Sequence, residues 1–380
     1  MLKSFRLKKL ISCISAAVIV AGQVKMFPVD ASDYSYILME AGTGTVLEEQ
    51  NAYTERNAGY LSKLMTLLLA AEDIETGKYS LQTEIKAPQA VSGLKGSVVW
   101  LEPGDSMSTE ELLKSVIIGN ANDAAAALAV HSEQSVENFV SRMNAEAFDM
   151  GLRNTSFYSP QGNFDEREHT TAYDMAKICA ELTEYDILES YFKTWRDFVK
   201  NETVELVNEN TLSRTYDRHI GFKASHSDES GYCVAEGARS EDGTTYIAVV
   251  LGAPDEETAL TTAKNLVKKG FSDYRVTVPG FLDELLMPVK VRKGVDSAVE
   301  VGLQSHSTVV IPKGISELSN VIVMPEYISA PVEKGQKVGT AAFYNGETLV
   351  YETPVTSKNS VEKLSYRYIL KQMLLKVIEI

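Results

Sequence analysis

Residues 57–66 have the clearest potential for chemistry in this chain, because they combine a hydroxyl and an amine at helical spacing. Tyr60 and Lys63 are three positions apart at the start of a predicted helix, so both side chains face the same side. An amine in that position can take the proton of a hydroxyl and activate its oxygen for attack on a carbonyl. Ser62 carries a second hydroxyl, but its position directs it elsewhere. Taken alone, the pattern favours an ordinary amphipathic helix start.

Two later stretches, Asn120-Ala121-Asn122 and Lys223-Ala224-Ser225, make a set with the first one. Together with Lys63-Leu64-Met65-Thr66, they resemble the three motifs of the serine D-alanyl-D-alanine carboxypeptidases, the low-molecular-weight penicillin-binding proteins. In that family the motifs read Ser-x-Thr-Lys, Ser-x-Asn and Lys-Thr-Gly. The length of the match makes a chance origin of the first motif unattractive.

The resemblance implies that Tyr60 stands in the place of the nucleophilic serine, beside the retained Lys63. A phenol oxygen lies at the end of a rigid ring, several ångströms beyond the position of a serine oxygen. It would overshoot the reaction centre and fill space meant for substrate. We therefore predict that the family's covalent chemistry is lost.

The second motif keeps Asn122, which the resemblance implies would hold the substrate amide. Asn120 replaces the family's serine, which would relay a proton to the leaving group. A carboxamide forms hydrogen bonds but cannot shuttle a proton as a hydroxyl does. The catalytic set read from the motifs is therefore Tyr60, Lys63, Asn120 and Asn122, with two of its hydroxyls missing.

The third motif is altered in the same way. The resemblance assigns substrate binding to four consecutive residues, Lys223, Ala224, Ser225 and His226. The lysine would attract a substrate carboxylate, the alanine lacks the hydroxyl that would bind it, and the serine replaces a glycine that allows close approach. A backbone N–H just after this motif belongs to the family's oxyanion hole. Ser225, His226 and Asp228 are not read as a triad, because strand neighbours point to opposite faces.

Further stretches extend the resemblance over nearly the whole mature chain, among them Ser159-Pro160-Gln161-Gly162, His169–Ala176 and Ala330–Gly339. It implies an α/β (α+β) fold, a β-lactamase/transpeptidase-like sandwich of helices around an antiparallel sheet, followed by a small C-terminal β-sandwich. The sequence pattern agrees with this fold. It predicts a hairpin at 36–47, helices at about 61–76, from 109 and at about 255–269, strands at 232–238 and 244–251, and short strands after 274.

The chain divides into four predicted segments. Residues 1–31 read as a signal peptide, with a basic start and a short apolar core. A carboxypeptidase-like domain follows at 32–273, then a β-sandwich at 274–358 and an amphipathic helix at 359–380. That helix carries Lys363, Arg367, Lys371 and Lys376 among bulky apolar residues, which favours binding to an anionic membrane surface. Docking on the protein's own domain is the alternative.

Composition limits the possible partners. The net charge is -15 over 380 residues, which argues against nucleic acid. The five His residues are scattered, so neither a metal site nor a cofactor is predicted. Cys179 and Cys233 are interpreted as buried free thiols.

These patterns lead to one hypothesis and two alternatives. We expect a secreted protein at the extracytoplasmic face of the membrane or in the cell wall. It would be inactive as a serine peptidase and would bind a peptidoglycan stem peptide or a cell-wall protein. The alternatives are an active D,D-carboxypeptidase with an altered nucleophile, and a non-catalytic envelope scaffold.

Overall fold

The computed structural model describes residues 34–378, except 164, 280, 282–285, 305–307 and 316–317. The described residues form two compact units, which divide between Asp273 and Tyr274. The predicted signal peptide lies outside the described residues. Each unit has its own hydrophobic core.

The first unit contains a five-stranded antiparallel sheet. Its strands, with those of two small hairpins, are β1 (Ser35–Glu40), β2 (Thr45–Gln50), β3 (Glu84–Lys86), β4 (Ser106–Ser108), β5 (Arg196–Val199), β6 (Val204–Val207), β7 (His219–Ser227), β8 (Gly231–Arg239) and β9 (Thr245–Ala253). The main sheet has the order β2-β1-β9-β8-β7, whereas β3 pairs with β4 and β5 with β6. The helices are α1 (Lys63–Glu75), α2 (Thr109–Ile117), α3 (Asn122–Glu133), α4 (Val136–Asp149), α5 (Ala172–Leu182), α6 (Asp186–Phe192), α7 (Leu212–Thr215) and α8 (Glu256–Asp273).

Helices cover both faces of the central strand β9. Eight of its nine residues are buried, and α5 and α8 both pack on it, so the strand is apolar throughout rather than alternating. α1 is buried along almost its whole length, and the alanines of α3 are also enclosed. A helix that is apolar all round belongs in a core. The predicted arrangement of helices around an antiparallel sheet is confirmed.

Local signals fix the helix that precedes the second motif. Ser108 and Glu111 form the predicted capping box: the Glu111 N–H donates to Ser108 Oγ at 3.3 Å, and the Ser108 N–H donates to Glu111 Oε2 at 3.4 Å. This pairing satisfies two helix-end donors reciprocally. α2 therefore begins at a defined residue and ends at Ile117, just before the Asn120 turn.

The second unit is rich in β-structure, as expected. It contains β10 (Tyr274–Thr277), β11 (Val289–Arg292), β12 (Ala298–Val299), β13 (Val301–Leu303), β14 (Val309–Pro312), β15 (Ser319–Val323), β16 (Tyr327–Ser329), β17 (Lys337–Asn345), β18 (Thr348–Ser357) and α9 (Tyr366–Ile378). Its described strands form sheets with the orders β10-β14, β12-β11-β16 and β13-β18-β17-β15. The core gathers around Val299, Ala341, Phe343 and Val355.

The C-terminal helix begins later than the sequence predicts, at Tyr366 instead of residue 359. Val361 is buried in the β-rich core and exchanges two main-chain hydrogen bonds with Val332, at 2.8 and 2.9 Å. The Leu364 N–H donates to the Lys293 carbonyl at 2.8 Å. These bonds hold residues 361–364 in extended pairing, so the helix cannot start before they end. Among the described residues, no helix is long and apolar enough to cross a membrane.

The close packing of α8 on the sheet depends on a glycine. A Cβ on Gly270 would lie 2.7–2.9 Å from ring atoms of Tyr246. We expect Gly270→Ala to lower the free energy of unfolding by about 1–3 kcal/mol through overpacking, although alanine is the better helix former. Urea denaturation measures this change. Asn265→Ala, at an exposed position of the same helix, is the control and should be neutral or stabilising; a stabilised Gly270→Ala would contradict the packing argument.

Candidate active site

The fold brings residues of all three motifs close together. Tyr60 lies in a 3-10 turn, Gly59–Ser62, that leads directly into Lys63 at the start of α1. A Cβ placed on Gly96 would lie 3.4 Å from the Tyr60 hydroxyl oxygen and 2.9 Å from Asn122 Nδ2. A Cβ on Gly59 would lie 3.9 Å from Ser225 Oγ. The backbone at Gly96 thus lies close to Tyr60 and Asn122, and the backbone at Gly59 lies close to Ser225.

Lys63 is a fully buried amine beneath an aromatic ring. Its Nζ lies 4.3 Å from the centroid of the Tyr60 ring. The side chain is 0% exposed, and Nζ has no hydrogen-bond partner within the described part of the chain. Burial, reinforced by the nearby charge of Lys223, holds the pKa of Lys63 well below its usual range. Because Nζ has no partner in the described residues, the hydroxyl of Tyr60 is not hydrogen-bonded to it.

Ser62 faces away from this amine, as its sequence position predicts. Its Oγ donates to Glu168 Oε1 at 2.6 Å, and both residues are buried. Glu168 also accepts the Tyr158 N–H at 3.1 Å. Burial raises the pKa of Glu168 to about 7 despite these donors. The hydroxyl nearest to Lys63 in sequence is thus engaged by a buried carboxyl that the sequence patterns did not single out.

Asn122 is the first residue of α3 and fastens the 95–97 loop to the site. Its Nδ2 donates to the Lys95 carbonyl at 2.6 Å, and its backbone N–H donates to the Ser97 carbonyl at 2.8 Å. Its Oδ1 is buried and has no hydrogen-bond partner among the residues described. The retained amide therefore uses its donors on the protein and leaves its acceptor unused.

Asn120 also uses its side-chain donor on the protein and leaves its acceptor without a partner in the described residues. Its φ of +54° lies in the left-handed region, which asparagine tolerates better than most residues. Its Nδ2 donates to Glu209 Oε2 at 3.2 Å, whereas its buried Oδ1 is without a partner in the described structure. Glu209 itself is exposed. Sequence reasoning did not identify Glu209, because no local pattern links it to a residue 89 positions earlier.

A buried network fixes the loop that carries Glu209. Asn210 Nδ2 donates to Glu236 Oε2 at 2.9 Å. The two ring nitrogens of His219 lie 2.9 Å from Glu236 Oε1 and 3.2 Å from the Phe192 carbonyl oxygen. Asn210, which follows Glu209, is therefore anchored to β8.

Lys223 is bound to the end of a helix. Its Nζ donates to the carbonyls of Val116 and Ile117, at 2.8 and 3.0 Å, which are unsatisfied groups at the C-terminus of α2. The side chain is buried, and this burial lowers the pKa of Lys223 to about 8. A cation at a helix C-terminus also complements the helix dipole. Two of its three protons are therefore directed at the protein.

The rest of the third motif passes from the buried to the exposed part of β7. Ala224 and Ser225 are buried, and the Ser225 hydroxyl has no hydrogen-bond partner in the described residues. His226 is exposed and stacks on Tyr232, with ring centroids 4.1 Å apart. Ser225 and His226 thus have opposite environments. Both Cys179 and Cys233 are free and buried, as expected.

Comparison with known proteins identifies the family. The profile of the peptidase S11 family, D-alanyl-D-alanine carboxypeptidase, matches residues 21–255. That of the penicillin-binding protein 5 C-terminal domain matches residues 282–363. D-alanyl-D-alanine carboxypeptidase DacF of Bacillus subtilis is 32% identical over 345 residues, which cover 89% of this chain and 88% of DacF. DacC of Escherichia coli is 30% identical over 339 residues, covering 87% and 84%.

The fold is also similar to that of a solved structure. Penicillin-binding protein 5 of Haemophilus influenzae superposes with a TM-score of 0.80 at 24% identity, covering 87% of this chain and 97% of that one. The chain belongs to the peptidase S11 family of D-alanyl-D-alanine carboxypeptidases. It is a carboxypeptidase-like penicillin-binding protein of cell-wall metabolism, so the family resemblance read from the three motifs is confirmed. The loss of catalysis stays a prediction.

The role of Lys223 at the end of α2 has a measurable consequence. We expect Lys223→Met to lower the free energy of unfolding by about 1–3 kcal/mol, because two buried carbonyls lose their donor. Chemical denaturation at pH 7 checks this, with Lys86→Met at an exposed site on β3 as the control. Unchanged stability in Lys223→Met would show that the lysine is not needed by the helix.

The Glu168 carboxyl predicts a pH effect on stability. Its pKa is raised from 4.5 to about 7, so within this window the folded protein holds a proton that the unfolded chain has lost. Unfolding then releases a proton, and the free energy of unfolding falls as the pH rises. Glu168→Gln removes this contribution, and we expect the difference between the two proteins to change by about 3 kcal/mol from pH 4.5 to 8. Parallel profiles would contradict this, and exposed Glu166→Gln is the matched control.

Proposed function

We propose that this protein binds peptidoglycan stem peptides without hydrolysing them. The observation that carries the proposal is the position of the Tyr60 ring over the buried Lys63 amine. Acyl transfer needs a nucleophilic oxygen hydrogen-bonded to the group that takes its proton. No described hydroxyl donates to Lys63 Nζ, since that atom has no hydrogen-bond partner in the described structure.

The second and third motifs support the same reading. The amide of Asn120 cannot relay a proton to a leaving group. Ala224 brings no hydroxyl to the substrate side of β7. The family's anchors persist at Lys63, Asn122 and Lys223. A site that keeps its amide and amine while losing the hydroxyls at the family's serine and threonine positions is suited to holding a peptide and not to cleaving it.

Unsatisfied polar atoms argue that the site still binds a ligand. In the described residues four buried side-chain atoms of the motifs have no hydrogen-bond partner: Lys63 Nζ, Asn120 Oδ1, Asn122 Oδ1 and Ser225 Oγ. Each buried group without a partner costs about 1–3 kcal/mol. A peptide ligand would offer partners to these atoms. The cost of leaving them unpaired therefore becomes affinity for a polar ligand.

The location follows from the substrate class and from α9. Stem peptides belong to the cell wall, so we place the protein outside the cytoplasm. In α9 the apolar side chains of Tyr366, Ile369, Leu370 and Met373 are exposed, beside the exposed Arg367 and Lys371. Such a helix is suited to lie on an anionic membrane surface. A cell-wall protein is the alternative partner.

The names of the relatives favour one further candidate, an active D,D-carboxypeptidase, because DacF and DacC are both named D-alanyl-D-alanine carboxypeptidases. This function would need the Tyr60 phenol as the attacking group. Its reaction would release terminal D-alanine from a stem pentapeptide. Detection of that product separates the two proposals.

The test combines acylation, turnover and binding on the purified protein, with B. subtilis DacF as the positive control. We expect no covalent adduct with fluorescent penicillin by gel and intact mass, no D-alanine release, and saturable binding of an acyl-L-lysyl-D-alanyl-D-alanine peptide by calorimetry. Tyr60→Ser should remain unacylated, because Asn120 and Ser225 are still present. A penicillin adduct that disappears in Lys63→Met would overturn the proposal of inactivity.

A further inference from the structure

The two asparagines of the second motif have orientations that chemistry fixes. A carboxylate and a carbonyl oxygen can only accept hydrogen bonds. The Asn120 amide must therefore turn its N–H group towards Glu209, and the Asn122 amide must turn its N–H group towards the Lys95 carbonyl. Both Oδ1 atoms are consequently left as buried acceptors. What they lack is a donor.

The donors that would suit a carboxylate are already used or missing. Lys223 gives two hydrogen bonds to the end of α2 and is 2% exposed. Ala224 has no polar side chain. Lys63 is fully buried beneath the Tyr60 ring. Of the motif side chains, the Lys63 amine and the Ser225 hydroxyl are donors that have no partner in the described residues, and the Tyr60 ring covers the amine.

The charge at the site also disfavours an anion. Glu209 is exposed, and its carboxylate is the acceptor that orients Asn120. Its charge acts on both Lys63 and Lys223. A second carboxylate brought to this pocket would meet that negative charge. Among the motif lysines, the one without a partner in the described residues is Lys63, and it is buried. Like charges within a few ångströms oppose binding.

We infer that the site recognises the N–H groups of a peptide amide and does not select a free C-terminal carboxylate. Its ligand would be an internal stretch of a stem peptide, or a stem peptide whose terminus is amidated. The amide N–H groups would donate to Asn120 Oδ1 and Asn122 Oδ1, and a ligand carbonyl would accept from Ser225 Oγ. This inference rests on the proposed binding function and adds the ligand class to it.

A matched pair of ligands tests the inference: acyl-L-lysyl-D-alanyl-D-alanine as the free acid and as its C-terminal amide. Calorimetry on the full chain at pH 7 and low salt should find that the acid binds no more than threefold tighter than the amide. An acid that binds more than threefold tighter overturns the inference while leaving the binding function intact. If neither ligand binds, both proposals fail. Any smaller preference for the acid supports the inference, because a carboxylate then adds little.

Two variants assign the effect to named groups. Glu209→Gln removes the negative charge, so we expect it to strengthen binding of the acid about threefold more than binding of the amide. Glu102→Gln, at another exposed position, should change neither ratio. Asn120→Gly fits the left-handed backbone and removes one acceptor, so it should weaken the amide about fivefold. Equal effects of Glu209→Gln on both ligands would contradict the role assigned to its charge.

Thermal melting of each variant separates lost binding from lost folding. A fall in amide affinity counts for the inference only in a variant that melts with the wild-type transition. If Asn120→Gly melts early, Asn120→Asp is used in its place, because aspartate also tolerates the left-handed region. Its added carboxylate should weaken the acid more than the amide. The reverse order would overturn the inference.

Discussion

The site depends on how the chain accommodates one buried amine. A lysine removed from water must either find an anion or give up its proton, because an isolated charge in the interior is very costly. In the described structure Lys63 has no anion within hydrogen-bonding distance, and the Tyr60 ring covers it. A serine at position 60 would offer a small hydroxyl in place of that ring. One side chain therefore decides both the access to the amine and its hydrogen bonding.

The second constraint is the way side-chain amides are held. Asn120 is oriented by the carboxylate of the exposed Glu209, and Asn122 by the Lys95 carbonyl of the 95–97 loop. Neither group can donate a hydrogen bond. The direction of each amide is thus set from outside the pocket. Residues distant in sequence therefore decide which atom of each asparagine is left for a ligand.

Much of the fold was readable from the sequence, but the partners within the site were not. The Ser108 capping box, the helices and the strands of the main sheet follow from local pattern, because their periodicity and caps lie within a few residues. The contacts of Ser62 with Glu168 and of Asn120 with Glu209 join residues 106 and 89 positions apart. The late start of α9 has the same origin, since Val361 is held by Val332. Local propensity carries no information about such pairs.

The lysine of the third motif also changes how such motifs should be read. Lys223 closes the C-terminus of α2 through Val116 and Ile117. This contact gives the lysine a structural role that is independent of the reaction. A signature search that scores this lysine as a mark of enzymatic competence would therefore count a structural support as a reactive group. In diverged members of such families, the positions that report on catalytic activity are those with no structural role besides the catalytic one.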